Sequence, residues 1–408
     1  MIIFRGDKLK SIDNDLPLKG INILELGVIV SAPTAGLIFA DLGANVIKVE
    51  NTGYGDPNRE NTGAPGTGQF DFLNREKKSI SLNLKTDDGR KIFLQLATKA
   101  DVIIENLAPR VADSLGVSFR NVVKVNPRII YGSIKGFGKG KFESRKMTDY
   151  PTQAESGLAY MTGLKGRPMR AGASVLDMMA ANMLVIAVLS KMLKGFRSGK
   201  TIGEEITVGM FETGAFLVGP IMSRSIIKSE APMPLNATNF RWAIYDFFDI
   251  IDGGKIFIGI INENQWGSFC TAFGMEELEV DQRFKTNEVR LLNKEKLTEI
   301  IQENILKLRP EELFHVLERT DILYAKLNRP DELVNYPHLS DKLLSYESIY
   351  DNRLVLHLPR IPIEGNSFEG IKAKRAPLLG ENTFEILLDL GYSEDQISQL
   401  KKLGCIYF

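Results

Sequence analysis

Among the reactive side chains of this 408-residue chain, Asp177 has the most telling position. It is the one acid in an apolar helical pattern that begins near Ser174. The plain reading is an N-cap or first-turn acid, held by the free backbone N–H groups of a helix start. The chemical reading uses the same geometry: a carboxylate kept ionised at the edge of an apolar pocket can act as a nucleophile. Asp149, beside Tyr150, offers a second carboxylate, whose plain reading is a loop acid. Lys85, Lys135, Lys146 and the basic turn 75–78 can contact phosphates, or be solvated surface charges.

Other chemistry is poorly supplied. The three histidines, His315, His338 and His357, all lie in the C-terminal third, which argues against a Ser-His or Cys-His pair near the N-terminal half. Zinc is disfavoured for the same reason, and no metal site is expected. Cys270 and Cys405 are far apart and read as two reduced thiols in a cytoplasmic chain. Formal net charge is zero, so no basic excess recruits nucleic acid or an anionic membrane. The apolar stretch 175–193 is interrupted by Asp177, Asn182 and Lys191, and reads as a core helix rather than a membrane span.

The elements that must position these residues begin with 20–50. Two short runs rich in Ile, Val and Leu, 21–26 and 45–50, read as strands buried on both faces of a parallel sheet. Between them a helix is expected over 35–42, capped by Ser31 or Thr34, tolerating Pro33 and stopping at Gly43. Such a βαβ unit binds ligands at the carboxyl ends of its strands. Glu50 sits where a dinucleotide site places its ribose-binding acid. The loop Gly27-Val28-Ile29-Val30-Ser31-Ala32-Pro33, however, lacks G-x-G-x-x-G and carries β-branched residues where a pyrophosphate would approach. A different ligand is expected.

Downstream, strands are expected over 80–85, 101–106, 128–134 and 205–208, with helices over 89–99, 152–161, from 174 and over 210–227. Asn106 falls at the carboxyl end of a strand. A long Gly- and Pro-rich loop covers 51–68, and a Gly-rich connection covers 163–172. Composition shifts after about Ser229. The expected fold is α/β: a Rossmann-like large domain with a parallel sheet over 1–229 and 326–408, and a smaller inserted α+β domain over 230–325.

Several runs together resemble one family. They include Ala40-Asp41-Leu42-Gly43-Ala44-Asn45-Val46-Ile47-Lys48-Val49-Glu50, Gly55-Asp56, Asn74-Arg75 and Ala100-Asp101-Val102-Ile103-Ile104-Glu105-Asn106. Asn126-Pro127-Arg128-Ile129-Ile130-Tyr131, Lys135-Gly136-Phe137-Gly138 and Ala376-Pro377-Leu378-Leu379-Gly380-Glu381-Asn382-Thr383 continue the series. The chain is similar over nearly its whole length to the class III CoA transferases, which include formyl-CoA and carnitine CoA transferases and, as a branch, 2-methylacyl-CoA racemases. The resemblance implies a CoA-binding domain and an interlocked homodimer. It implies acyl-CoA and a small carboxylic acid as substrates, with no permanently bound cofactor. It also places the family's aspartate nucleophile on Asp177. The implied CoA contacts are Val30 and Ser31, Leu82 and Lys85, Asn106, Leu107 and Ala108, and Lys146.

Departures from the family pattern sharpen the expectation. Two family arginines near the adenosine phosphates fall on Asn51 and Ser114, leaving Arg110 or the turn 75–78 as substitutes. The formyl-CoA branch's glutamine is Val30 here, and its glycine run has no counterpart in 230–265, so formate and oxalate are not expected substrates. The racemase branch needs a histidine where Thr148 stands, and a threonine hydroxyl is far too weak for that proton transfer. The expected activity is therefore CoA transfer through aspartyl anhydride and aspartyl-CoA thioester intermediates. The rival readings are a racemase and a non-catalytic acyl-CoA-binding subunit. Acceptor specificity is expected from 163–172 and from residues 239–245.

Overall fold

The computed structural model describes residues 16–59, 68–200, 202–234 and 241–408. Most of the expected lead-in, part of the loop 51–68 and residues 239–240 lie outside these. The chain forms two compact units. One runs to Ala159 and resumes over Arg170–Glu230 and Pro337–Phe408; the other comprises Tyr160–Met169 and Ala231–Tyr336.

The first unit contains strands β1 (Asn22–Leu26), β2 (Asn45–Glu50), β3 (Lys78–Leu82), β4 (Val102–Glu105), β5 (Ile130–Lys135) and β6 (Glu204–Gly209). In the second, β7 (Tyr245–Asp249), β8 (Lys255–Gly259) and β9 (Leu323–Lys326) form an antiparallel sheet. Its core gathers Phe248, Ile258, Trp266, Phe269, Phe284 and Leu313. The expected boundary at 325 falls inside β9, because Lys326 pairs with Ile256. A hairpin of β10 (Leu343–Glu347) and β11 (Val355–Pro359) and the short β12 (Ile406–Tyr407) belong to the first unit.

The main sheet has the order β12-β3-β2-β1-β4-β5-β6. The pairs among β1 to β6 are parallel, and β12 joins β3 antiparallel. Side chains alternate along each strand, so the two faces collect different cores. Leu24, Ile80 and Ile103 pack with Ile92 and Phe93 of the Asp87–Lys99 helix and with Ile386 and Leu400 near the C-terminus. On the other face, Ile23, Val46 and Ile104 pack with Phe39 of the Ser31–Asp41 helix and with Ala180 and Leu184 of the Val175–Ser198 helix. Successive strands run from β1 outward to β2 on one side and to β4 on the other. The gap between β1 and β4 is therefore the topological switch point, where parallel sheets seat ligands.

Several local expectations are corrected. The first helix starts at Ser31, not at residue 35, and neither Ser31 nor Thr34 caps it. Thr34 instead donates its hydroxyl to the Val30 carbonyl at 2.8 Å. The strand expected over 80–85 ends at Leu82, because Asn83 begins the turn that leads into the next helix. The helix expected over 210–227 is two, Met210–Leu217 and Gly219–Lys228, divided where Gly219-Pro220 interrupts the backbone pattern. Asp149 is no loop acid: it opens the Asp149–Glu155 helix and is buried.

Two strands carry charges into this apolar setting. Glu25 of β1 lies directly across from Lys48 of β2, and both side chains are fully buried. Lys48 Nζ reaches Glu25 at 2.8 Å, Asp56 at 2.9 Å and the Gly27 carbonyl at 2.7 Å. The second Glu25 oxygen takes Lys77 at 2.6 Å. The helix above comes close because residue 36 is glycine; a Cβ there would sit 1.9 Å from Glu25 Oε2. Removing one member leaves the others charged and dry, a large penalty. Lys48→Met should lower stability by about 3–5 kcal/mol, read as a shifted midpoint in urea unfolding. A loss below about 1 kcal/mol would contradict the network's role.

Candidate active site

The loop after β1 is tied down residue by residue. The Val28 N–H donates to Asn106 Oδ1 at 2.9 Å, and the Val28 carbonyl accepts from Asn106 Nδ2 at 2.8 Å. The Ile29 N–H donates to Asp56 at 3.2 Å, while its carbonyl accepts from Asn58 Nδ2 at 2.6 Å. Ile29 holds φ at +67°, a left-handed conformation that a β-branched residue adopts only under constraint. The constraint is Asp56, whose carboxyl Lys48 and backbone N–H groups hold below its usual value despite its burial. Burial disfavours charge on both lysines. Lys48 is nonetheless held above its usual value by Asp56, Glu25 and Glu50, while Lys77 is pushed down to about 8.

The loop after β4 is fixed in the same manner. Glu105 accepts the Leu107 N–H at 2.7 Å and Lys135 Nζ at 2.7 Å, and the Ser133 hydroxyl also donates to it. Lys135 Nζ donates as well to the Leu107 carbonyl at 2.8 Å. Lys135 is thereby committed to shaping the loop.

Between these loops lies a cleft of about 300 Å³. Val28 to Ser31, Asn106 to Pro109, the end of β5, residues 145–148, Asp177 and Met210 line it. It therefore brings together Val30, Ser31, Asn106, Leu107, Ala108, Lys146 and Asp177. Leu82 and Lys85 do not line it. Leu82 ends β3 with its side chain in the core, and Lys85 is exposed just beyond, two strands away along the same carboxyl edge.

The basic groups sort themselves by partner. Arg75 is buried against Asp41, Lys77 is buried against Glu25, and Lys78 pairs with Glu385. Arg75 and Lys77 thus have their charges spent inside the protein, while Lys78 sits in a partly exposed surface pair. Arg145 pairs with Glu155 at 2.7 Å. Lys146 and Arg110 are exposed and carry no ion pair among the described residues.

Asp177 is half-buried in the first turn of the Val175–Ser198 helix. It does not cap that helix. Asp149 does, from its own helix: its Oδ1 accepts the N–H groups of Leu176 at 2.9 Å and Asp177 at 3.3 Å. Gln153 Nε2 donates to the other Asp149 oxygen at 2.6 Å. Two carboxylates thus stand at one helix start, and only Asp149 has its charge absorbed by backbone donors. Burial, then the charge of Asp149, pushes the Asp177 carboxyl up to about 7, against a hydrogen bond from Ser31 and the charge of Arg170. The Ser31 hydroxyl in turn accepts from Asn106 Nδ2 at 2.9 Å. Asn106, Ser31 and Asp177 therefore form one connected line.

Sequence reading missed Asp56 and Asn58 as loop anchors and Arg170 as a neighbour of Asp177. One signal was present: Glu25 and Lys48 each place a charge in the middle of a strand whose flanking residues are apolar. A charge in such a strand needs a buried partner.

With the site's geometry established, similarity to known proteins fits the same arrangement. The sequence pattern of CoA-transferase family III matches residues 18–383. An acyl-CoA transferase of Fusarium pseudograminearum is 30% identical, covering 95% of this chain and 88% of the relative. Succinyl-CoA:glutarate CoA-transferase of Homo sapiens is 28% identical over 99% of this chain and 93% of its own length. A crystal structure of a CAIB/BAIF family protein from Brucella suis superposes with a TM-score of 0.81 at 27% identity, covering 92% of this chain and all of that one. A match spanning 18–383, carried by a sheet whose switch point opens onto Asp177, places this chain in CoA-transferase family III.

Proposed function

We propose that this protein moves CoA from an acyl-CoA donor to a small carboxylic acid, with Asp177 as the nucleophile. The observation that carries the reading is an aspartate with a carboxyl near 7 opening onto a cleft at the sheet's switch point. In the first step the carboxylate attacks the thioester carbonyl; a C–O bond forms, the C–S bond breaks, and CoA leaves as thiolate. The thiolate then attacks the Asp177 carbonyl of the anhydride, releasing the donor acid as carboxylate and leaving an aspartyl-CoA thioester. An acceptor carboxylate reverses these steps. No proton is gained or lost overall.

The raised carboxyl suits such an exchange. A thiol normally ionises near 8.5 and an exposed aspartate near 3.9. Lifting Asp177 toward 7 narrows the gap in basicity between the two groups that trade the acyl carbon, so neither intermediate is a deep trap. The loops 28–31 and 106–108 seat the pantetheine arm, and Lys146 and Arg110 are the exposed cations for its phosphates. No histidine is among the cleft residues, where Thr148 stands at the position the racemase chemistry requires for one. That favours transfer over racemisation.

We also propose self-association. The Val175–Ser198 helix is long and apolar enough to cross a membrane by length and composition, yet its Ala180, Leu184 and Val188 pack into the sheet's core. Its other side leaves Ile186, Leu193 and Phe196 exposed, and Ile226 and Ile227 of a neighbouring helix are exposed too. Apolar area of this extent calls for a partner, and a second copy matches the interlocked pair that the family resemblance implies. Light scattering should return twice the 45.5 kDa chain mass; a monomer at micromolar concentration would reject the pairing.

Chemical trapping tests the nucleophile. Incubation with acyl-CoA and hydroxylamine should place a hydroxamate on Asp177 by mass spectrometry, and Asp177→Asn should lower exchange by on the order of 10³-fold or more. A normal rate in that variant would end the reading. Activity should rise with pH through about 7, as the carboxylate forms. Because folding raises this carboxyl above its unfolded value of 3.8, the wild type loses stability as pH climbs from about 4 to 7. Asp177→Asn lacks that loss, so its melting temperature should exceed the wild type's by a margin that widens over the same range.

A further inference from the structure

Arg170 closes the 163–172 connection just before the Val175–Ser198 helix, and the scheme above gives it no task. Its Nη2 donates to Ser174 Oγ at 3.1 Å and lies 3.4 Å from Asp149 Oδ2. The guanidinium carbon stands 5.8 Å from the centre of the Tyr150 ring. The side chain is 42% exposed, and its Nη1 and Nε have no partner among the described residues. Its positive charge is felt at Asp177. One nitrogen of this fork is thus fixed at the start of the helix that carries the nucleophile, just outside the residues that line the cleft.

Asp149 does not consume that charge. Its two oxygens already accept the N–H groups of Leu176 and Asp177 and the amide of Gln153, all at shorter range than the 3.4 Å to Arg170. The reaction meanwhile poses an electrostatic problem. The acceptor arrives as an anion and must bring its oxygen to the Asp177 carbonyl, close to the buried charge of Asp149. Like charges at such separation repel unless a cation intervenes. Arg145 is spent on Glu155, and Lys146 lines the side of the cleft assigned to CoA. A planar fork with free N–H groups is the residue type that grips a carboxylate by two bonds.

We infer that Arg170 binds the carboxylate of the acid acceptor as it attacks the aspartyl-CoA thioester. In that step the acceptor oxygen forms a C–O bond to the Asp177 carbonyl, the C–S bond breaks, and CoA leaves as thiolate; the thiolate then takes the acceptor acyl group and frees Asp177. The inference rests on Asp177 as nucleophile and adds the group that recognises the second substrate. Ser174 and Tyr150 hold the fork in place. Donor binding and the first attack do not require it.

Succinate and glutarate serve as probe acids, with hydroxylamine as an uncharged competitor for the same acyl-enzyme. At pH 8.5, above the Asp177 carboxyl near 7, the comparison weighs least on that group's ionisation and most on the acceptor. Arg170→Gln should raise the KM of the acid by at least about tenfold, with the donor KM within about twofold and the rate of hydroxamate formation on Asp177 lowered by no more than about threefold. Arg170→Lys, which keeps the charge and loses the fork, should fall between wild type and Arg170→Gln. An unchanged acid KM in both variants overturns the inference. So does an equal loss of hydroxamate and acid turnover, which would mean that the arginine acts on the nucleophile. Failure of the underlying reading shows separately, as wild-type protein that never gives hydroxamate at Asp177, and this too overturns the assignment.

Discussion

At the centre of the main sheet, Lys48 ends among Glu25, Asp56 and the Gly27 carbonyl with no exposed surface. Three charges and a backbone oxygen can share that space only if each is matched. Matching them fixes where Asp56 lies. Asp56 then sets the Ile29 backbone in a left-handed conformation, which turns the chain into the Ser31–Asp41 helix with the Ser31 hydroxyl facing Asp177. A buried ion network thus translates into the position of one hydroxyl beside one carboxylate. Such networks contribute less to net stability than to fixing a single arrangement, and here the arrangement is the wall of a cleft.

The second constraint is the division of labour between two acids. A helix start offers several unpaired N–H groups and ordinarily neutralises whichever carboxylate sits there. Asp149, from another helix, takes that role, and Asp177 is left in its field without the backbone donors. Burial, joined by that field, holds its carboxyl near 7 rather than near 4. Had Asp177 capped its own helix, it would have been a calmer, more acidic group with less basicity to give to an acyl carbon. Asn106 adds to this from the opposite loop, since its amide occupies the Val28 backbone and the Ser31 oxygen together.

The same logic separates the basic residues. Lys77, Arg75 and Lys135 look like phosphate ligands on paper, being cationic and close to strand ends. Each lies beside a buried carboxylate whose charge it balances, so each is used to build the protein. Lys146 and Arg110 are exposed, and the Arg170 side chain is partly so. Cations available to substrates in this site are those whose neighbours are already satisfied.

The sequence by itself determined the parallel α/β unit, because buried strands need unbroken β-branched runs and the helices between them need a period near 3.6. It also singled out Asp177, a lone acid in an apolar helix, and Asn106 at a strand end. It could not reveal that Asp149 caps a helix 27 residues further on, that Asn106 clamps a loop 78 residues back, or that Arg75 faces Asp41. Nor did it show β12 joining β3, a two-residue strand with no periodicity to read. Local patterns report what a segment does with its own neighbours, whereas a charge's role is fixed by whichever group the fold sets beside it.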